Sequence, residues 1–237
     1  MKITENIHVI PGVTAHPYLL VDPDGLTLID TGIPGSAHKI LRYVKQIGYS
    51  PRAINRILLT HADYDHAGSL ARLKRASGAR VYSSLHEARA MATGEFPRSL
   101  KSSSKLLQPI LMIAERLGRI SPAHVDEHLV DGQMLPVLNG LQVVDTQGHT
   151  PGHLSFYAIK QGILFSGDSI LSLKEGLAGS RGPVTWDQEK ANASVLKQLG
   201  FTVRMICSGH GAVVRVGLGM LVKLAETVAA APVVQQL

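Results

Sequence analysis

Cysteine is nearly absent: Cys207 is the only one in 237 residues. A single thiol excludes an internal disulfide framework and fits a reducing compartment. Aromatic residues are scarce at 5%. They do not interleave with basic residues, which removes the stacking groove expected of a single-strand nucleic-acid binder. The opening Met1-Lys2-Ile3-Thr4-Glu5-Asn6 is polar and lacks the apolar run of a signal peptide, so a cytoplasmic location is expected. No long uncharged apolar run follows. Residues 212–234 are apolar, but Arg215, Lys223 and Glu226 interrupt them; an amphipathic helix on the core is expected, not a membrane span. Neither a Gly-x-Ser-x-Gly elbow nor a phosphate-cradling glycine loop occurs, so no serine nucleophile and no nucleotide loop is indicated.

What is present suits a compact enzyme. Hydrophobic residues make up 45%, and Gly 23 and Pro 12 fall singly at turns. A chain of this length buries a substantial core. Ser102-Ser103-Ser104 is the only low-complexity patch, and no linker divides the halves. The formal net charge of +6 leans weakly toward anionic partners. Basic residues group mildly at Arg98, Lys101 and Lys105 and at Arg116 and Arg119, where a solvated helix face explains them as well as a binding patch does.

The densest chemistry lies in the octapeptide His61-Ala62-Asp63-Tyr64-Asp65-His66-Ala67-Gly68. Imidazole and carboxylate together suit divalent transition metals. The octapeptide follows Ile57-Leu58-Leu59-Thr60, an apolar run that reads as a buried strand. On a straight strand its side chains would alternate between faces, whereas a turn makes them converge. Three further strand ends repeat the design. Gly148-His149-Thr150-Pro151-Gly152-His153 follows Leu141-Gln142-Val143-Val144, Ser166-Gly167-Asp168 follows Ile163-Leu164-Phe165, and Ser208-Gly209-His210-Gly211 follows Met205-Ile206-Cys207. Each apolar run ends in small residues that present a His or an Asp on a loop positioned by a scaffold.

In order and spacing these residues resemble the metallo-β-lactamase-fold hydrolase superfamily. Its signature is His-x-His-x-Asp-His, then a separate His, an Asp and a final His. The matching set here is His61, Asp63, Asp65, His66, His149, Asp168 and His210, with Asp63 where the family usually has its second histidine. The resemblance implies an α/β fold, an αββα sandwich of two mixed β-sheets flanked by helices, as a single domain over residues 1–237. It also implies two divalent metal ions about 3.5 Å apart. His61, Asp63 and His149 would hold the first, Asp65, His66 and His210 the second, and Asp168 would bridge them. Zinc is the expected metal, with iron or manganese as alternatives. Asp65 and Asp168 are the carboxylates assigned to catalysis. Three carboxylates and a bridging hydroxide against two dications make the site formally neutral. Asp63 should therefore leave the first ion a weaker Lewis acid and favour harder metals.

Such ions lower the pKa of bound water from 15.7 toward roughly 7 and polarise a substrate oxygen. The expected function is a dinuclear hydrolase that uses a metal-bridging hydroxide to cleave a small ester, lactone or thioester. Its partner is a small-molecule substrate, anionic with an apolar part; no nucleic acid and no membrane is expected. The Gly148–His153 stretch resembles glyoxalase-II-like thioesterases, but only 27 residues follow His210. β-Lactam hydrolysis, an iron-dependent sulfur dioxygenase and a phosphodiesterase or nuclease are the alternatives on the same scaffold.

Periodicity predicts strands near Ile7–Ile10, Tyr18–Val21, Leu26–Asp30, Ile54–Thr60, Arg80–Ser83, Gln142–Asp145, Leu154–Ile159, Ile163–Ser166 and Val203–Ser208. Helices are predicted over Ala37–Ile47, Ser69–Ala76, Leu85–Ala92 and Gln188–Leu199, with Ser36, Gly48, Asp187 and Gly200 as caps. Around 96–128 a broad helical apolar face suggests an insert, either a lid over the site or core cover. Asp30 reads equally as a partner of a ligand histidine or a turn cap, and His153 as a support of the ligands. His16, His124 and His128 read as loop histidines with a possible place at the pocket, Tyr64 as turning into the core, and Trp186 and Cys207 as packing.

Overall fold

Successive strand residues point to opposite faces, and the central strands of this chain are apolar on both. Leu19 and Leu20, Leu28 and Ile29, and Ile57 and Leu58 each divide between two separate core clusters. Phe156 and Tyr157, Leu164 and Phe165, and Ile206 and Cys207 divide in the same way. A strand buried on both faces needs a sheet covered on both faces. Two such sheets that share one cluster form the inner layers of a four-layer sandwich.

A computed structural model of the chain describes residues 1–98 and 119–230, together with Pro109 and Ile113. Strands β1 (Ile7–Val9), β2 (Tyr18–Asp22), β3 (Gly25–Ile29), β4 (Ile54–Leu58), β5 (Arg80–Ser83) and β6 (Glu127–His128) form the first sheet in that order. Its β1, β2 and β3 run antiparallel, and β3 to β6 parallel. In the second half come β7 (Met134–Leu135), β8 (Leu141–Asp145), β9 (Leu154–Ala158), β10 (Ile163–Gly167), the hairpin β11 (Ile170–Leu173) and β12 (Gly176–Gly179), then β13 (Met205–Ser208) and β14 (Val214–Arg215). The second sheet has the order β14-β13-β10-β9-β8-β7, with only β10 and β13 parallel. Both sheets are mixed, as the resemblance implied.

Helices α1 (Ala37–Gln46), α2 (Tyr64–Ala67), α3 (Leu70–Ser77) and α4 (Leu85–Thr93) belong to the first half. Ile40 and Val44 of α1, Leu70 and Leu73 of α3 and Met91 of α4 seal the outer face of the first sheet. Helices α5 (Gln188–Leu199) and α6 (Leu218–Ala229) cover the second sheet through Val195, Leu224 and Val228. Burial of each such side chain stabilises by about 1.5–3 kcal/mol, so the outer clusters fix the helices that frame the strand ends. Asp187 caps α5 by accepting the Lys190 N–H at 3.0 Å. Ser36 makes no side-chain cap bond to α1, and that helix ends at Ile47 with Gly48 beyond it at φ +91°. The expected C-terminal helix is α6, of which only Leu224 and Val228 are buried. No helix among the described residues is long and apolar enough to cross a membrane. Most of the insert expected around 96–128 lies outside the described residues.

Candidate metal centre

Strand β4 ends one residue short of Leu59-Thr60, and the chain then turns through His61, Ala62 and Asp63. Asp63 is extended (φ −61°, ψ 147°) and starts α2, whose single turn swings Asp65 and His66 back toward His61. The first sheet thus supplies four side chains from one turn. The second supplies His149 after β8, Asp168 after β10 and His210 after β13. All seven meet where the ends of the two sheets face each other. His149 Nε2 stands 3.2 Å from Asp63 Oδ2, and His61 Nε2 stands 3.6 Å from the same oxygen. His210 Nε2 lies 3.2 Å from Asp65 Oδ2. Asp168 sits between these groups, 3.2 Å from His66 Nε2, 3.6 Å from His149 Nε2 and 3.5 Å from His210 Nε2.

These residues fit divalent ions. The donor atoms of His61, Asp63 and His149 all lie within 4.8 Å of one another, as do those of Asp65, His66 and His210 and those of His61, His66 and Asp168. Donors about 2.0–2.1 Å from a tetrahedral ion stand roughly 3.3–3.4 Å apart, which is the spacing seen. His61 Nε2, His66 Nε2 and Asp168 Oδ1 are buried and make no hydrogen bond. His66 Nε2 and Asp168 Oδ1 face each other at 3.2 Å, yet three inward polar atoms without a hydrogen bond are costly unless something charged completes them.

Three of the four ligand histidines have the outward ring nitrogen held. His61 Nδ1 bonds Thr60 Oγ1 at 2.9 Å, His66 Nδ1 bonds Asp30 Oδ2 at 2.8 Å, and His149 Nδ1 bonds Ser180 Oγ at 2.8 Å. With Nδ1–H donating outward, each Nε2 keeps its lone pair for the centre. Asp30 adopts φ +59°, a left-handed conformation that aspartate tolerates. In that pose Oδ1 accepts the Thr60 N–H at 2.9 Å while Oδ2 takes His66. His153 is fully buried; burial, with His61 and His149 nearby, holds its pKa well below the usual value. Its neutral ring accepts the Asp168 N–H at Nε2, 3.0 Å, while Nδ1 meets Thr146 Oγ1 at 2.8 Å. Gly209 leaves room for Asp168: a Cβ there would lie 2.5 Å from its Oδ1 and 2.6 Å from His66 Cε1.

Two supporting residues escaped the sequence reading. Glu87 in α4 is fully buried and accepts from the Ala62 N–H (2.7 Å), Thr150 Oγ1 (2.6 Å) and the Gly152 N–H (2.9 Å). It ties the His61–Asp63 turn to the His149 turn. Burial pushes its pKa up, against those three donors. The available signal was Ser84-x-x-Glu87, a capping-box pattern; Ser84 does cap α4, but the glutamate reaches the ligand turns instead.

Arg98 is the second. Its Nη1 lies 2.5 Å from Asp63 Oδ1 and its Nη2 2.9 Å from Oδ2, a two-pronged pair, and Nη2 also donates to the Val184 carbonyl at 2.6 Å. The charge balance expected from sequence therefore needs correction, because a guanidinium offsets the extra carboxylate. Burial would push the Asp63 carboxyl up, but Arg98 and then His149 and His61 hold it well below the usual range. Burial would likewise push the Asp168 carboxyl up, but His66 and then His149 and His61 hold it well below the usual range. Nothing local in the sequence joins positions 63 and 98.

Other expectations fare unevenly. Tyr64 does not turn into the core: it opens α2 on the outer side while His66 and Ala67 take the inner one, and it is 43% exposed. Trp186 is partly exposed and donates its backbone N–H to the His149 carbonyl at 3.0 Å. His16 is half-buried, its N–H on the Gly209 carbonyl at 2.8 Å and its Nδ1 buried without a partner. His124 and His128 are exposed, away from these ligands' hydrogen bonds. Cys207 is buried between the sheets and lies in no donor group.

Relatives point the same way. The chain is 30% identical over 204 residues to the probable metallo-hydrolase YqgX of Bacillus subtilis (strain 168), covering 84% of this chain and 86% of that protein. The probable metallo-hydrolase YflN of the same organism is 29% identical over 203 residues, covering 80% and 76%. A metallo-beta-lactamase of Cronobacter sakazakii with a HARLDQ motif, in which the third position is again not histidine, superposes with a TM-score of 0.68 at 25% identity, covering 88% of this chain and 79% of that one. Partial relatives, matched over only 54% and 55% of their own lengths, are a hydroxyacylglutathione hydrolase of Ectopseudomonas mendocina and an N-acyl homoserine lactonase of Bacillus sp, both 27% identical. The family model for the metallo-beta-lactamase superfamily matches residues 11–210, and the chain belongs to that superfamily.

Proposed function

We propose that this superfamily hydrolase binds two divalent ions, one between His61, Asp63 and His149 and one between Asp65, His66 and His210, with Asp168 between them. The proposed reaction is hydrolysis of a small ester, lactone or thioester. The observation that carries it is the convergence of unpartnered His61 Nε2, His66 Nε2 and Asp168 Oδ1 on a centre whose donors stand 3.2–3.6 Å apart. When bound, the ions supply a nucleophilic hydroxide at neutral pH and polarise the scissile carbonyl. Zinc or iron suits the imidazoles, and manganese the carboxylates.

The chain's own residues hold this chemistry in place. Thr60, Asp30 and Ser180 fix the tautomer of three histidines, His153 aims Asp168, and Glu87 keeps the two ligand turns in register. Exposed Tyr64 adjoins the ligands along the chain, Trp186 by its hydrogen bond to His149, and Val184 through Arg98, an apolar rim for the non-reacting part of a substrate. The names of the partial relatives add a thioester and a lactone as candidate substrates.

Elemental analysis of the purified protein, paired with a panel of lactones, thioesters, β-lactams and phosphodiesters, tests this. Approach to two ions per chain and chelator-sensitive turnover of a lactone or thioester is expected. Saturation at one ion, or turnover confined to phosphodiesters, would overturn it.

A further inference from the structure

Arg98 is the only buried lysine or arginine among the described residues, with its side chain 1% exposed. A buried guanidinium is costly without a matched partner, and its partner here is Asp63, a carboxylate where the superfamily usually has a neutral histidine. The fork occupies one lone pair on each carboxylate oxygen, and a carboxylate offers about four such sites. Asp63 Oδ2 is 2.9 Å from Nη2 yet still faces His149 Nε2 at 3.2 Å and His61 Nε2 at 3.6 Å. The same oxygen thus serves the guanidinium on one side and the centre on the other. The Val184 carbonyl, 2.6 Å from Nη2, and the Phe96 ring, 5.0 Å from Cζ, keep the fork from turning away.

We infer that Arg98 is a positioning residue for the first ion: the Asp63–Arg98 pair replaces, charge for charge, a neutral histidine ligand. The inference rests on the metal assignment proposed above. It makes Asp63 and Arg98 one unit with two functions. The guanidinium aims Oδ2, and it cancels the charge that the carboxylate would otherwise bring to the ion. It also keeps the metal-free centre tolerable, because Asp63 is never a lone buried anion.

The test is zinc affinity by chelator competition, with His149→Ala marking which binding step belongs to the first ion, and melting temperatures of zinc-loaded and metal-free protein. Arg98→Met loses the aim of Oδ2 but frees the full charge of Asp63, and the charge dominates because His149 and His61 still face that oxygen, so the first zinc should bind about tenfold tighter or more, and the gap between loaded and metal-free Tm should widen. Asp63→His leaves a bare guanidinium beside a dication, so the first zinc should bind about tenfold weaker or more, and the gap should narrow. The double variant should return to within about threefold of the parent, since both opposite charges are gone and the net charge of the pair is again zero. Arg98→Gln keeps an N–H for Asp63 and carries the same sign as Arg98→Met, so the sign is readable even where the methionine variant does not fold. An Arg98 that is merely structural would lower both melting temperatures together and leave zinc affinity unchanged. That result, or single variants that shift affinity in the same direction, overturns the inference while leaving the ligand assignment standing. A parent protein that binds no zinc at His149 removes the assignment and the inference with it.

Discussion

Glu87 accepts three hydrogen bonds while fully buried. A glutamine there has one accepting oxygen, so either the Ala62 N–H or the Thr150 and Gly152 donors would face an amide NH2. Glu87→Gln should lower the stability of metal-free protein by about 1–3 kcal/mol. It should also weaken zinc binding, because Ala62 lies between His61 and Asp63; thermal melts and zinc titration check both, and an unaltered Tm would show that the turns hold without it. Asp63 gives the pH dependence. Its folded pKa is depressed, so its contribution to stability is present above its unfolded value of about 3.9 and is lost only as pH falls through the lower folded value. Metal-free protein should therefore hold this contribution down to about pH 4, and Arg98→Met should move the acid-unfolding midpoint upward, as circular dichroism against pH would record. Seven converging side chains were legible in the sequence because each stands at a strand end marked by small residues. Arg98 and Glu87 were not, since their partners lie 35 and 25 positions away. Tyr64 misled because a one-turn helix, invisible to periodicity, put alternate residues on opposite sides.

At the level of elements, the turn after β13 approaches the centre with its backbone. Gly209→Ala would place a methyl against Asp168 Oδ1 and His66 Cε1. Overpacking of that kind costs about 1–3 kcal/mol, and here the displaced groups are a carboxylate and an imidazole of the centre. The variant should stay folded and lose zinc stoichiometry, which elemental analysis beside a thermal melt would show; a full zinc complement would mean that the turn yields instead. Long elements were readable from sequence: apolar runs on two faces mark β2, β3, β4, β9 and β10, and apolar residues at helical spacing mark α1 and α5. The short strands β6, β7 and β14 have two residues each, too few for any period, and they exist because neighbouring strands offer free backbone partners. Strand order was equally beyond periodicity, which is local, whereas pairing joins Ile163 of β10 to Met205 of β13.

For the whole molecule, the centre belongs to neither sheet alone, since four side chains come from the first and three from the second. Ions that bind only this assembled state stabilise it by about 2.7 kcal/mol at a hundred times their dissociation constant. Cys207 turns that coupling into a clock. The sole thiol lies fully buried on β13, beside Phe165 of β10 and three residues before His210, and burial raises its pKa further. An alkylating reagent reaches it only during an opening of the second sheet. If that opening scatters His149, Asp168 and His210, zinc at a hundred times its dissociation constant should slow labelling by about a hundredfold. A labelling rate indifferent to zinc would mean that β13 can peel from β10 while the ions stay seated, and mass spectrometry of the alkylated chain tells the two apart.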